Sequence, residues 1–193
     1  MDVVSEISEL VIRERQTRVR RLAEENRACY TQDATIETSW MNGSPQTFDQ
    51  GDNDPYIDFG PLLNRCGPPA VNYHGSRGVV EYPSATIVWM PVNGVEAILT
   101  SYMRLIYRVE RRAGVWLISE MHAVNESDTL EPAVPGTDLS VDPEALKGLR
   151  HSYRFLAHTR ALVGTEVSQD LLGIDRPENV DALYAAANEW MRS

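Results

Sequence analysis

Ile7, Leu10 and Val11 stand three and four positions apart in an otherwise polar stretch. That spacing predicts a helix with one buried face, opened by Ser5 as its N-cap. "RERQTR" continues the helix with residues of good helical propensity. A second stripe, Val19, Leu22 or Ala23, Asn26 and Cys29, is out of phase with the first, so a bend or break is expected near residues 15 to 18. From Ala34 the period becomes two: Ala34, Ile36, Thr38 and Trp40 alternate with Thr35, Glu37 and Ser39, the pattern of a short strand with one buried face. "MNGSPQTFDQGDNDPYIDFG" then concentrates Asn, Gly, Pro and Asp and reads as loop, with at most one helical turn before Asn64.

Residues 69 to 130 read as a β-meander, with strands at 70 to 74, 78 to 90, 94 to 111 and 115 to 127 separated by the turns "HGSRG", "PVNGV" and "RRAGV". In the third of these strands both alternating sets are apolar. Val95, Ala97, Leu99, Met103, Leu105 and Tyr107 lie on one side, and Ile98, Tyr102 and Ile106 on the other. Such a strand is covered on both faces, by helices inside and by another subunit or the C-terminal tail outside. Two helices close the chain. "VDPEALKGLRHSYRFLAHTRALVG" opens at Asp142 and Pro143 and ends at Gly164; "DRPENVDALYAAANEWM" repeats the device with Asp175 and Pro177.

A chain of 193 residues with 42% hydrophobic and 24% charged positions fits one globular domain. Its formal net charge of -10 opposes binding to a phosphate backbone. "RERQTRVRR" holds five arginines in nine residues, but glutamates at helical spacing make it a salt-bridged face. The start "MDVVSEISEL" lacks a basic, then apolar, leader and no run suits a membrane span, so a cytoplasmic protein with no membrane or nucleic-acid partner is expected. Cys29 and Cys66 are then reduced.

Familiar catalytic motifs are absent: no phosphate-cradling glycine loop, no G-x-S-x-G, no H-E-x-x-H and no paired C-x-x-C. Asp49, Asp52, Asp54 and Asp58 lack the glycine and distal glutamate of an EF-hand loop. His74, His122, His151 and His158 have no spacing that favours a metal, so neither metal nor cofactor is expected.

The order of a helix pair, "CYTQDATIETSW", an acidic loop, "NRCGPPAVNYHGSRGVVE", "GVEAILTSYMRLIYRVERRAGVWLI" and "ESDTLEP" resembles the SnoaL-like and scytalone dehydratase-like branch of the NTF2-like superfamily. The resemblance spans roughly residues 5 to 132. It implies an α+β fold: a cone-shaped barrel in which a curved antiparallel sheet wraps N-terminal helices around an apolar pocket. Residues 1 to 132 then form the NTF2-like domain, and 133 to 193 a helical extension packed on it. It further implies cofactor-independent chemistry, as in cyclases, dehydratases and isomerases, on a small apolar oxygenated metabolite such as a polyketide, terpenoid, steroid or aromatic compound, and assembly as a homodimer or homotrimer. A non-catalytic small-molecule-binding or protein-interaction member is the alternative.

Carried over residue by residue, the family's Asp-His dyad is missing. The aspartate that begins the second helix falls at Val19 and the histidine at Asn64; a tyrosine before "E-x-D-T-L" falls at Asn125. Valine cannot accept a proton and asparagine cannot donate one usefully near pH 7. The candidate catalytic residues are therefore Tyr30, Asn64 and His122, with Val19, Trp40, Arg104, Met121 and Asn125 as substrate-binding residues. Arg104 and Glu120 are read as a buried pair that is either structural or a holder of a substrate anion, and Asp33 as a turn cap.

Overall fold

The computed structural model describes residues 2–39, 41–46 and 62–193. Helix α1, Val3–Val19, is capped by Asp2, whose carboxylate accepts from the Ser5 amide at 3.1 Å and from its hydroxyl at 2.7 Å. Ser5 therefore donates to the cap rather than being it. Ile7, Leu10 and Val11 are buried as their spacing requires, and Glu14, Arg15 and Thr17 continue the same face. The phase change in the apolar pattern is thus a change in the chemistry of the buried face, and the helix runs through it. The break comes later, where Arg21 takes φ 56, before the short α2, Ala23–Arg27.

Strand β1, Tyr30–Glu37, begins four residues before the expected alternation and pairs in parallel with the last strand, which local sequence could not indicate. Ala34 and Ile36 are buried; Trp40 and the acidic loop lie outside the described residues. β2, Asn42–Gly43, flanks β1, and β3, Leu63–Cys66, carries Asn64 as part of a strand. β4 (Ala70–His74), β5 (Arg77–Val92), β6 (Val95–Arg112) and β7 (Val115–Pro132) follow the predicted meander. The described strands form one curved, unclosed sheet in the order β2, β1, β7, β6, β5, β3, with β4 also on β5. The two long hairpins turn at Asn93 and Gly94, and at Ala113 and Gly114, all at positive φ, which matches the twist of the flanking strands.

One face of the sheet, here the inner face, carries two apolar clusters. At one end α1 packs Ile7, Leu10 and Val11 onto Val80, Leu105, Tyr107 and Met121. At the other, Tyr153, Leu156 and Ala157 pack onto Val88, Met90, Ala97 and Leu99. The segment expected to be one helix from 142 to 164 is divided. A 3-10 turn at Pro143–Leu146, which Asp142 caps through the Glu144 amide at 3.0 Å, and a second at His151–Tyr153 precede α3, Arg154–Leu162. Gly148, at φ 81, separates them.

Helix α4, Pro177–Arg192, lies on the outer face, where Val180, Ala187 and Met191 cover Val79, Ile106 and Val124. The tail, not a second copy, thus covers the outer side of β6 around Ile106. Asp175 does not cap α4; its carboxylate accepts from Arg150 and from the Ser152 hydroxyl at 2.9 Å. No described helix is long and apolar enough to cross a membrane.

Candidate functional site

Between the two inner-face clusters the apolar pattern is interrupted. Asn64, Thr86, Ser101 and Asp128 are successive register partners across β3, β5, β6 and β7, so their side chains form a polar row on one face. Beside it runs the row Cys66, Ser84, Met103 and Asn125. Along β6 the inner positions are Ala97 and Leu99 under α3, then Ser101 and Met103, then Leu105 and Tyr107 under α1. The polar belt is therefore the part of this face that lies between the two helices' apolar contacts.

Asn64 donates to the Thr86 hydroxyl at 2.9 Å and to the Leu63 carbonyl at 3.2 Å. Ser101 is 2% exposed, yet its hydroxyl has no hydrogen-bond partner among the described residues. Asp128 is equally committed to the interior: Oδ2 accepts from the Leu156 amide at 2.7 Å in the first turn of α3, while Oδ1 has no such partner. Burial raises its pKa, opposed by the Leu156 and Phe155 amides. A buried polar oxygen without a partner is costly in an ordinary core.

Under α1 lies a second polar group, centred on the fully buried Glu14. Its Oε1 accepts from Arg18, from the Tyr30 hydroxyl at 2.9 Å and, longer, from Asn26 at 3.4 Å; Oε2 accepts from the Tyr107 hydroxyl at 2.8 Å and stands 3.1 Å from Arg15 Nε. Burial opposes ionisation, but the Arg15 and Arg18 guanidiniums and these hydrogen bonds hold the carboxyl at about 2. Tyr30 and Tyr107 are pushed well above 10, by burial first and by the Glu14 charge. Glu14 stays ionised and both phenols stay protonated.

The predicted residues divide accordingly. Tyr30 is buried in the Glu14 cluster, with its hydroxyl also accepting from Arg18 at 2.9 Å, and Met121 lies 3.7 Å from that hydroxyl inside the core. Asn64 stands in the belt. Val19 does not open a second helix; it ends α1 and joins none of the apolar clusters. Trp40 is outside the described residues.

His122 and Arg104 face the other way. His122 is the register partner of Ile106 and Arg104 of Val124, both beneath α4 on the outer face. His122 Nε2 lies 2.5 Å from Glu120 and Nδ1 3.1 Å from Glu37. Arg104 pairs with Glu126 at 2.8 Å, and Glu120 with Arg108 at 2.6 Å, so the Arg104 and Glu120 pair does not form. Asn125 is 1% exposed and occupied: its side chain and amide both donate to the Leu172 carbonyl at 2.9 Å, and its carbonyl accepts from Ile174 at 3.0 Å. It anchors a segment of the tail to the edge of β7. Asp33 caps no turn; it is an exposed partner of Arg112 at 2.7 Å.

Sequence reasoning missed Glu14, Arg15, Ser101 and Asp128. Two of them left a signal: Glu14 sits at helical spacing from Ile7 and Leu10, and Ser101 is the one polar position in the inward set of β6 from Val95 to Tyr107. Asp128 needed more, because the register shift that passes over Glu126 moves it to the inner face. Among the described residues no group of His, Cys, Asp and Glu could hold a metal ion.

No family model matches this chain. A PEP2-like protein of Fusarium vanettenii is 27% identical over 139 residues, 67% of this chain; the chain matches 60% of that relative's length. Among solved structures, a type 2 hexachlorocyclohexane dehydrochlorinase, LinA, superposes with a TM-score of 0.56 at 13% identity, over 72% of this chain and 93% of its own. The type 3 LinA from Novosphingobium barchaimii LL02 gives 0.56 at 14% identity, over 72% and 94%. A putative scytalone dehydratase from Novosphingobium aromaticivorans DSM 12444 gives 0.51 at 12%, over 70% and 95%. These likenesses establish the NTF2-like fold that the sequence resemblance implied.

Proposed function

We propose that this chain binds a small, apolar, oxygenated metabolite against the belt of Asn64, Thr86, Ser101 and Asp128, and acts on it as a cofactor-independent cyclase, dehydratase or isomerase. The observation that carries the reading is the pair of buried oxygens, Ser101 Oγ and Asp128 Oδ1, without partners between two apolar clusters. Apolar walls with a few convergent polar groups are the usual composition of a small-molecule site. In this reading Asn64 and Ser101 hold a ligand oxygen. Asp128, its carboxyl raised by burial, supplies or takes the proton. Tyr30 does not, because its hydroxyl is committed to Glu14. The dehydrochlorinase and dehydratase named for neighbouring structures support this class of chemistry.

Binding without turnover is the second reading, favoured by the place of His122 on the outer face and by the locked protonation states of Glu14 and Tyr30. Assembly as a homodimer or homotrimer through the outer face would use the part beyond α4, around Tyr102, which is 42% exposed. Incubation with a panel of hydroxylated polycyclic compounds, comparing the wild type with Asn64→Ala and Asp128→Asn, separates the two readings. Product formed by the wild type and lost in Asp128→Asn supports the enzyme; binding with no product in any case leaves a binding protein.

A further inference from the structure

Arg15 and Arg150 are about equally buried, at 7% and 8% exposed, and are treated very differently by the fold. Arg150 spends every arm: Nε and Nη2 donate to Asp175, and Nη1 donates to the Tyr153 hydroxyl and to the Gln169 and Leu171 carbonyls. That is how a buried structural arginine is satisfied. Arg15 makes one charged contact, from Nε to Glu14 Oε2 at 3.1 Å, and it is not an aligned hydrogen bond. Neither Nη atom donates to any described residue. Arg18, Tyr30 and Tyr107 also donate to the Glu14 carboxylate oxygens, so Arg15 is not its sole partner.

Helix α1 packs against β3, the strand of Asn64 and Cys66, and Tyr82 and Met103 lie in the apolar cluster beneath it. Cys66 and Met103 belong to the row containing Ser84, which Tyr82 adjoins on β5 and which runs immediately beside the Asn64 to Asp128 belt. A guanidinium is a planar fork of donors that matches a carboxylate two bonds at a time, and the Nη atoms of Arg15, unlike those of Arg150, are not spent on the fold.

We propose that Arg15 is the anion-recognition residue of the inner-face site, and that the ligand carries a carboxylate which its two Nη atoms hold while the rest of the molecule lies on the belt. The proposal rests on the reading of the inner face as a small-molecule site and adds the charge of the ligand to it. The fork at one end and Asp128 at the other select an apolar acid with a hydroxyl or carbonyl oxygen further along its skeleton.

The test uses 2-naphthoate and 2-naphthamide, equal in shape and different in charge, titrated calorimetrically into the full chain at neutral pH. The wild type is expected to bind 2-naphthoate about tenfold or more tightly than 2-naphthamide, the difference that a bidentate charged pair supplies. Arg15→Met should abolish that preference by weakening 2-naphthoate alone. Arg15→Lys, which keeps the charge without the fork, should retain only part of it. Equal affinities in the wild type, or a preference that survives in Arg15→Met, would overturn the proposal and leave the reading of the inner face as a small-molecule site standing. Failure of both compounds to bind would overturn the two together. Because the wild-type comparison is decisive by itself, the test does not depend on how well either variant folds.

Discussion

The Tyr107 hydroxyl stands 2.8 Å from Glu14 Oε2, so the central strand of the sheet and the first helix share one fully buried carboxylate. Glu14 is held at about 2, against an ordinary 4.5, so it contributes stability above pH 4.5 that is lost as pH falls toward 2. The difference corresponds to on the order of 3 kcal/mol. Urea unfolding of the wild type between pH 6 and pH 2 should show a falling midpoint. Glu14→Gln should be less stable at pH 6 by roughly 3 to 5 kcal/mol, because it leaves buried guanidiniums without their partner, and its midpoint should depend less on pH.

The two tyrosines of that cluster should not be equivalent. Oε1 keeps Arg18 when Tyr30 loses its hydroxyl, whereas Oε2 keeps only the poorly aligned Arg15 when Tyr107 does. Tyr107→Phe should therefore cost about 1.5 to 3 kcal/mol, the range for a bond to a charged group, and Tyr30→Phe less. Chemical denaturation of the two variants side by side decides the order.

Asp128 joins two roles that substitution can separate. Asparagine retains an oxygen to accept from the Leu156 amide but cannot exchange a proton; alanine loses both. Asp128→Asn should keep most of the stability of the wild type. Asp128→Ala should lose about 1 to 2 kcal/mol as the first turn of α3 is left with an unsatisfied donor. Thermal unfolding of both proteins measures the difference.

At Gly173 the chain passes so close to its neighbours that an added Cβ would lie 2.7 Å from Asp175 Oδ1 and 3.0 Å from Arg150 Nη2. This segment pairs with Asn125 at the edge of β7 and leads from α3 on the inner face to α4 on the outer. Gly173→Ala should destabilise by about 1 to 3 kcal/mol through overpacking. It should also raise hydrogen exchange at the Asn125 and Ile174 amides ahead of the rest of the sheet.

The meander was legible because β5, β6 and β7 are long, rich in Val, Ile, Tyr, Thr and Trp, and separated by turns that need positive φ at Asn93, Gly94, Ala113 and Gly114. Contacts between distant segments were not. Nothing local to Tyr30–Glu37 signals a parallel partner in β7, and the face on which His122 lies depends on the register shift at Ser119. Asn64, selected by its position before "GPP", stands on β3 beside Thr86, while Tyr30, selected at the helix-to-strand junction, is bound to Glu14. Glu14 and Ser101 were hidden because a polar residue at an apolar position reads as a lapse in the pattern until its neighbours are known.

The central claim is that ligand occupies the inner-face belt. Calorimetric titration of 2-naphthoate into the wild type, Ser101→Leu and His122→Ala tests it most directly, since leucine at position 101 fills the belt and alanine at 122 alters only the outer face. The account predicts that Ser101→Leu weakens binding about tenfold or more while His122→Ala leaves it within about twofold, the contrast expected when one change removes ligand volume and the other does not. Unchanged binding in Ser101→Leu together with loss in His122→Ala would contradict it.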